Sequence, residues 1–163
     1  MKKQCFIGLI FDEETDSRIR SIKENIRDKF GVKHSLKTKA HITLFEPVWI
    51  EDIDKFWEEA VKDIKDFGTL ELKLLGINHF DHRVIYIEIE NNIRLKRLYE
   101  LVRKKESTNF VPHVTLVHRD ISDFSALWSY LSEIKMFDGI SADKIVLFVH
   151  NNGSWTENKI YMI

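Results

Sequence analysis

Cysteine, proline and glycine are scarce in this sequence, and each shortage narrows what the chain can be. A single cysteine, Cys5, permits no internal disulfide and no cysteine-based metal cluster, which is typical of a protein from a reducing compartment. There are 2 Pro and 6 Gly among 163 residues, and no Pro/Gly/Ser-rich linker or low-complexity segment. We therefore expect one packed body rather than domains joined by a flexible tether.

Long apolar runs and a strong net charge are also missing. No stretch approaches the roughly 18 apolar residues of a transmembrane helix, and Met1-Lys2-Lys3 leads into a short strand rather than a signal-peptide core. The 25 Lys and Arg against 26 Asp and Glu give a formal net charge of −1, so the whole molecule does not attract nucleic acid. We expect a cytoplasmic protein without a membrane partner, in which any affinity for a polyanion is local.

Two tetrads of the same kind are the most informative feature of the chain. They read His41-Ile42-Thr43-Leu44 and His113-Val114-Thr115-Leu116, and they lie near the midpoints of the two halves. Side chains alternate between the faces of a strand, so in each tetrad the imidazole and the hydroxyl share one face while the apolar residues point into a core. The doubling predicts a duplicated unit with paired sites, and therefore a catalytic cleft between two similar lobes.

The hydrophobic periodicity predicts the same order in both halves: strand, helix, His-Thr strand, helix, strand. This is an α/β (α+β) domain over 1–163, with approximate duplicated halves 1–82 and 83–163. The predicted strands are 4–11, the first tetrad, 70–79, 84–90, the second tetrad, 144–150 and 154–162. One helix is predicted directly after Asp12. Three more are predicted over 53–64, 92–105 and 123–135.

Two histidines that face one cleft suit a reaction that needs a base and an acid in the same step. The unperturbed pKa of imidazole, about 6.5, allows either role at neutral pH, and phosphodiester cleavage is such a reaction. Two threonine hydroxyls can donate hydrogen bonds to the non-bridging phosphate oxygens on which charge builds, without a metal ion or cofactor. A lone histidine is more often a core or surface residue, but paired tetrads favour the catalytic interpretation.

The tetrads, the opening Phe-Ile-Gly-Leu strand, Pro112 and the apolar closing strands resemble the 2H phosphoesterase superfamily over nearly the whole chain. Within it the chain is most similar to the bacterial branch of RNA 2′,5′-ligases and 2′,3′-cyclic phosphodiesterases. The resemblance implies a bilobal fold with pseudo-twofold symmetry, antiparallel sheets around a central cleft, and metal-free chemistry. It implies His41 and His113 as the acid–base pair and Thr43 and Thr115 as phosphate ligands, and leaves open which histidine is the base.

A basic residue soon after the second motif is common in that superfamily, and here the chain reads Val117-His118-Arg119. Strand alternation from His113 places Thr115, Val117 and Arg119 on the cleft face, so Arg119 is a candidate phosphate contact. A strand that ends early would instead make Arg119 a surface charge and bring His118 to the cleft. The sequence favours neither alternative over the other.

Further candidates for substrate binding lie around the first tetrad. Alternation places Phe45 beside His41, where its ring could stack on a nucleobase, although core packing is the commoner fate of such a residue. Lys39 belongs to a basic connector that could hold the backbone of a longer RNA, with a solvated loop as the alternative. The connector also contains Lys33, His34 and Lys37, and near the carboxyl terminus Trp155 and Tyr161 could border the cleft or pack in the core.

Together with the resemblance, these residues predict a metal-independent phosphoesterase acting on RNA-derived 2′,3′-cyclic phosphates or 2′,5′ linkages, with reverse ligation as a further activity. Its substrate is a nucleotide or an RNA terminus, and no obligatory protein partner is inferred. Two alternatives stay open: a 2H esterase for a small nucleotide such as a cyclic ADP-ribose phosphate, and a nucleotide-binding module without turnover. The presence of both histidines and both threonines counts against the second.

Overall fold

Residues 1–33, 36–119 and 121–163 are described by the structure, a computed structural model of the chain. These parts hold four α-helices and seven β-strands, in the order that the sequence predicts. The first half consists of β1 (Lys3–Phe11), α1 (Glu13–Phe30), β2 (His41–Ile50), α2 (Ile53–Val61) and β3 (Leu70–Phe80). The second half consists of β4 (Val84–Ile89), α3 (Ile93–Arg103), β5 (His113–His118), α4 (Phe124–Ser132), β6 (Gly139–Asn151) and β7 (Ser154–Met162).

Each of the four described helices begins at a capping side chain. A carboxylate or amide oxygen accepts the backbone N–H three residues farther on, which satisfies one of the donors left free in a first helical turn. The caps are Asp12, Asp52, Asn92 and Asp123. α1 ends at Gly31, whose left-handed backbone (φ 72°) directs its N–H to the Arg27 carbonyl. None of the described helices is long and apolar enough to span a membrane.

The seven described strands form one antiparallel sheet in the order β1-β2-β5-β4-β3-β6-β7. An additional pairing of β1 with β6 closes six strands into a ring, with β7 attached outside it. Each half places one strand beside a strand of the other half, which we call the strand exchange. β3 of the first half pairs with β4 of the second, and β6 of the second half pairs with β1 of the first. The order of helices and strands thus repeats on the two sides of residue 82, but the sheet contains strands from both halves.

β1 and β6 are buried on both faces, because each separates two apolar clusters. Alternate residues of both strands belong to the large core that packs against the helices. The intervening residues form a small second cluster, against which Trp155 of β7 packs: Phe6, Ile10, Val146 and Phe148. His41 lies opposite Ile10 in the β1–β2 pairing, so the second cluster and the first tetrad histidine share one face of the sheet.

The first tetrad ends in a β-bulge, a point at which one strand carries one residue more than its partner. In the β1–β2 pairing, Gly8 lies opposite Thr43, but the preceding Ile7 lies opposite Phe45. Leu44 is therefore the extra residue. Beyond it, the regular alternation of faces no longer continues from the tetrad.

The second tetrad ends in the same irregularity. Tyr86 of β4 lies opposite Thr115 and Ile85 lies opposite Val117, which makes Leu116 the extra residue of β5. The two halves thus share a bulge at the fourth position of each tetrad. The residue directly after each tetrad, Phe45 or Val117, therefore points to the face opposite to the one that an unbroken strand predicts.

Candidate active site

β2 and β5 bring the two tetrads together on one face of the sheet. The strands meet in an antiparallel bridge between Ile42 and Val114. The histidines and threonines are partly exposed, whereas the apolar residues of both tetrads are buried in the core. The register places each histidine beside the threonine of the other strand: His41 beside Thr115, and Thr43 beside His113.

The tetrads adjoin a cavity of about 510 Å³. His41, Thr43 and Thr115 line it, whereas His113 neighbours Thr43 without being one of the lining residues. The other walls come from β1, α1, the connector before β2, the end of β5 and the β6–β7 turn. This volume falls within the range of roughly 300–1,000 Å³ that is usual for small-molecule sites.

Both histidines make the same hydrogen bond through Nδ1. In His41 this atom lies 2.7 Å from the Lys39 carbonyl oxygen, and in His113 it lies 2.8 Å from that of Val111. A carbonyl oxygen only accepts, so we assign the proton of each neutral ring to Nδ1. Nε2 is then free to accept a proton as a base, or to give one up when the ring is an imidazolium.

The surroundings of His41 disfavour the charged form of its ring. Burial lowers the pKa of His41 to about 4, with further lowering by the charges of Lys23 and His113, against the opposing effect of the hydrogen bond to the Lys39 carbonyl. A ring with this pKa is neutral at physiological pH. Its Nε2 lone pair is therefore not occupied by a proton before a reaction starts.

The positions behind the two histidines differ. A Cβ added to Gly8 of β1 would come within 3.1 Å of the His41 Cβ and 3.3 Å of a ring carbon of Phe148. A side chain at this position would force its neighbours to move by a few tenths of an ångström, which favours glycine. The corresponding residue of the second half is Tyr86, whose ring centroid lies 5.0 Å from that of His113. The half that carries His113 thus has a bulky ring where the other half has none.

An aromatic wall adjoins His41. The ring of Phe6 lies 4.8 Å from that of His41, and Trp155 meets Phe6 edge-on at 4.8 Å. Phe6 and Trp155 both line the cavity, whereas Tyr161 packs against the large core. A partly exposed indole at a cavity wall is a surface on which a nucleobase can stack.

Lys23 also lines the cavity, although it is not among the candidate site residues that the sequence predicts. It lies on α1 among the buried residues that face the core, at the helical spacing of Ile19 and Ile26, and is 5% exposed. Burial lowers its pKa to about 8, with Asp16 acting in the opposite direction. The only sequence signal for it was a lysine placed on the apolar stripe of an amphipathic helix.

His118 and Arg119 both line the cavity, so the two alternatives left open by the sequence occur together. The bulge at Leu116 shifts the alternation, which buries Val117 in the core and turns His118 toward the cavity. β5 ends at His118, and Arg119 has a left-handed backbone (φ 61°) whose N–H donates to the Arg83 carbonyl at 2.8 Å. The regular strand therefore ends before Arg119, and Arg119 lines the cavity all the same.

Phe45 does not line the cavity, which corrects the prediction that it shares the face of His41. Because of the bulge at Leu44, its ring turns to the helices. It meets Phe56 of α2 edge-on at 5.2 Å, and the guanidinium of Arg103 on α3 lies 5.3 Å from its centroid. Phe45 therefore packs against the core.

The basic connector before β2 contributes Lys37 to the cavity wall rather than the predicted Lys39. The Lys39 ammonium instead forms an ion pair with Glu157 of β7 at 2.9 Å, while its carbonyl holds His41. Lys33 is exposed. His34, another member of this predicted basic group, lies outside the described residues.

The sequence model of the 2′-5′ RNA ligase superfamily matches residues 11–153. The chain belongs to this superfamily, the 2H phosphoesterases. It is 26% identical over 160 residues to a protein of Geobacillus sp. (strain WCH70) named as a phosphoesterase, with 90% of each chain covered. It is also 26% identical over 127 residues to the RNA 2′,3′-cyclic phosphodiesterase of Thermotoga maritima, with 69% of this chain and 68% of that protein covered. The resemblance inferred from the tetrads is confirmed, and with it the assignment to an enzyme class.

Solved structures of similar fold confirm the predicted fold class. E. coli LigT, in a complex with NADP+, superposes with a TM-score of 0.66 at 15% identity, over 100% of this chain and 99% of LigT. The protein TT0787 of Thermus thermophilus gives the same TM-score and identity, over 99% of this chain and 97% of that protein. At this level of identity the likeness concerns the fold, a mixed α/β arrangement of antiparallel strands and helices.

Proposed function

We propose that this 2H phosphoesterase opens RNA-derived 2′,3′-cyclic phosphates or cleaves 2′,5′ phosphodiester linkages, without a metal ion, by acid–base catalysis between His41 and His113. One observation carries the proposal: two histidine–threonine pairs lie side by side across β2 and β5, on the face that adjoins a cavity of nucleotide size. Each imidazole has its Nδ1 proton held by a backbone carbonyl, so Nε2 is available for proton transfer.

In the proposed hydrolysis, Nε2 of His41 removes a proton from water, whose oxygen attacks the cyclic phosphorus. The bond from phosphorus to one ribose oxygen breaks, and the imidazolium of His113 protonates that oxygen through Nε2. Thr43 and Thr115 donate hydrogen bonds to the non-bridging oxygens, on which negative charge accumulates. The low pKa of His41, about 4, supports the assignment of the base because this ring is neutral before the reaction starts.

The same arrangement accounts for a reverse reaction. A 5′-hydroxyl in place of water would attack the cyclic phosphate and form a 2′,5′ linkage when the bond to the 3′-oxygen breaks. Microscopic reversibility then makes the linkage a substrate for cleavage at the same site, with the roles of the two histidines exchanged. The name of the Thermotoga relative and the complex of E. coli LigT with 3′-AMP support a nucleotide phosphate as the ligand class.

A small-nucleotide esterase is the second candidate function. The cavity of about 510 Å³ is closer to the size of one nucleotide than to that of an extended RNA. A compact substrate such as a cyclic ADP-ribose phosphate would use the same two histidines and two threonines. The two candidate functions differ in the part of the substrate that surrounds the reacting phosphate. Turnover rates measured on both kinds of substrate therefore distinguish them.

The proposed function is tested by turnover assays in the presence of EDTA. The substrates are the four 2′,3′-cyclic nucleotides, a short RNA ending in a cyclic phosphate, a 2′,5′-linked dinucleotide and a cyclic ADP-ribose phosphate. We expect cyclic-phosphate opening that survives chelation. The matched control is His82→Asn, because His82 is an exposed histidine with a left-handed backbone (φ 57°) that asparagine tolerates. No turnover of any substrate, or turnover only after a divalent ion is restored, would contradict the proposal.

A further inference from the structure

A lysine is buried beside the proposed catalytic pair. Lys23 is 5% exposed and lines the cavity together with His41, Thr43 and Thr115. Its charge contributes to the low pKa of His41, which places the two side chains within electrostatic reach of each other. Lys23 therefore belongs to the wall that a reacting phosphate would meet.

Core packing alone does not explain a lysine at this position. The rest of the buried stripe of α1 is mainly isoleucine, with Ile22 directly before Lys23. Methionine or leucine would fill the same volume without the cost of removing an ammonium group from water. Despite that cost, the pKa of Lys23 falls only to about 8, so the side chain is mostly protonated at neutral pH.

The cavity as a whole is cationic. Lys23 from α1, Lys37 from the connector and Arg119 from the end of β5 all line it. Among the described residues, none of those that line the cavity is a carboxylate. In a chain whose formal net charge is −1, this wall is a local site for an anion.

We propose that Lys23 is a further catalytic residue, whose ammonium contacts a non-bridging oxygen of the substrate phosphate and neutralises the charge that this phosphate gains as the nucleophile adds. The proposal rests on the phosphoesterase function proposed above. As water attacks, the phosphorane acquires a second negative charge, and the two threonine hydroxyls are neutral donors. Lys23 supplies the positive charge that they lack.

Lys23 also couples phosphate binding to the state of His41. In the free enzyme its charge opposes protonation of His41, as does the charge of His113 from β5. Asp16 and Arg20 of α1 act on Lys23 in opposite directions, and the wall adds further positive charge. A bound phosphate offsets these charges, so His41 becomes a stronger base once the substrate is in place.

The test compares Lys23→Met and Lys23→Gln with Lys29→Met, which removes the same charge from an exposed position of the same helix. We expect kcat/KM for a 2′,3′-cyclic nucleotide to fall by about 100-fold in both Lys23 variants. Affinity for inorganic phosphate should fall as well. The pKa of His41, followed by NMR titration of its ring protons in the free protein, should rise. Lys29→Met should match the wild type in all three measurements.

Thermal unfolding shows whether the variants fold, because a folded variant unfolds in one cooperative transition as the wild type does. A folded Lys23→Met whose kcat/KM and phosphate affinity stay within about twofold of wild type would overturn the proposal. If the wild type turns over none of the substrates, the proposed function fails by itself. Phosphate affinity and the His41 pKa then still decide whether Lys23 belongs to an anion site.

Discussion

At the scale of the residue, each tetrad histidine makes the same kind of hydrogen bond to its own backbone carbonyl, but the surroundings of the two rings differ. His41 is neutral at physiological pH because burial and nearby positive charge lower its pKa. Glycine lies behind it, whereas tyrosine packs beside His113. These differences support distinct roles in the proposed hydrolysis, with His41 as the base toward water and His113 as the acid toward the ribose oxygen.

Alanine variants of the two histidines separate these roles. Each should lower turnover of a 2′,3′-cyclic nucleotide by about 10²- to 10⁴-fold, with little change in KM. A nucleoside 3′-(4-nitrophenyl phosphate) reacts in the reverse sense: the ribose hydroxyl attacks, and nitrophenolate leaves without needing a proton. His41→Ala should therefore keep most of its activity on this ester, whereas His113→Ala should lose it. Release of nitrophenolate measures both, and the opposite pattern would exchange the two roles.

The low pKa of His41 also predicts how stability depends on pH. The folded chain binds a proton at His41 only near pH 4, whereas the unfolded chain binds one near pH 6.5. Between these values the unfolded state binds more protons, so the contribution of His41 to the free energy of unfolding falls as the pH falls through this window. Calorimetry should show a smaller loss of Tm between pH 7 and pH 5 in His41→Ala than in the wild type or in His82→Asn. Equal losses would contradict the assignment.

At the scale of the element, the β6–β7 hairpin places an aromatic side chain at the cavity. Trp155 contacts Phe6 and lines the wall beside His41. We expect Trp155→Ala to weaken binding of 3′-AMP by about 10-fold, because stacking of a base contributes about 1–3 kcal/mol, and to leave the affinity for inorganic phosphate unchanged. Trp49→Ala is the control, since Trp49 is 61% exposed on β2 and does not line the cavity. Calorimetric titration that finds equal losses for both ligands would rule out a base contact.

The close approach of β1 to β2 at Gly8 predicts that a larger residue there displaces His41. Gly8→Ala introduces a Cβ about 3.1 Å from that of His41, so the His41 side chain must move by a few tenths of an ångström. Overpacking of this kind typically costs about 1–3 kcal/mol. We expect a lower Tm and a lower kcat. Gly139→Ala, whose Cβ would meet only the Leu72 carbonyl oxygen at 3.5 Å, should change neither. A Gly8→Ala enzyme with wild-type kcat would show that the position of the His41 ring is not constrained from this side.

The sequence predicted the elements and the tetrads because both depend on local patterns. Apolar periodicity and capping residues determine where helices begin, and alternation over three residues is enough to align a histidine with a threonine. The bulges at Leu44 and Leu116 depend on pairing with β1 and β4, which no local pattern reveals. The alternation that placed Phe45 and Val117 on the cleft face therefore failed beyond them, whereas Arg119 lines the cavity from the end of β5. Lys23 was missed for a related reason, because its position at the cavity depends on where α1 packs.

At the scale of the whole molecule, the exchange of β3 and β6 makes the two halves interdependent. In isolation, the fragment 1–82 would have no partner for β3, whose neighbours β4 and β6 both belong to the second half. We expect fragments 1–82 and 83–163 to give amide NMR spectra with the poor chemical-shift dispersion of unfolded chains when they are expressed separately. Each labelled fragment should gain dispersed signals when its unlabelled complement is added. A dispersed spectrum from 1–82 alone would show that its core suffices without the exchange.

The glycine at position 8 and the tyrosine at position 86 have a consequence for the polarity of the reaction. Two sites related by a twofold axis have no preferred direction, since either histidine could begin the proton relay. In the proposed hydrolysis, water attacks the phosphorus from one side and the ribose oxygen leaves from the other. The substrate must therefore bind in one orientation. In the proposed reaction, the residues that distinguish the two halves set this orientation: Gly8 against Tyr86, and Trp155 on the unrepeated strand β7. The two tetrads carry the proposed chemistry twice, and these unmatched side chains determine which histidine meets the water.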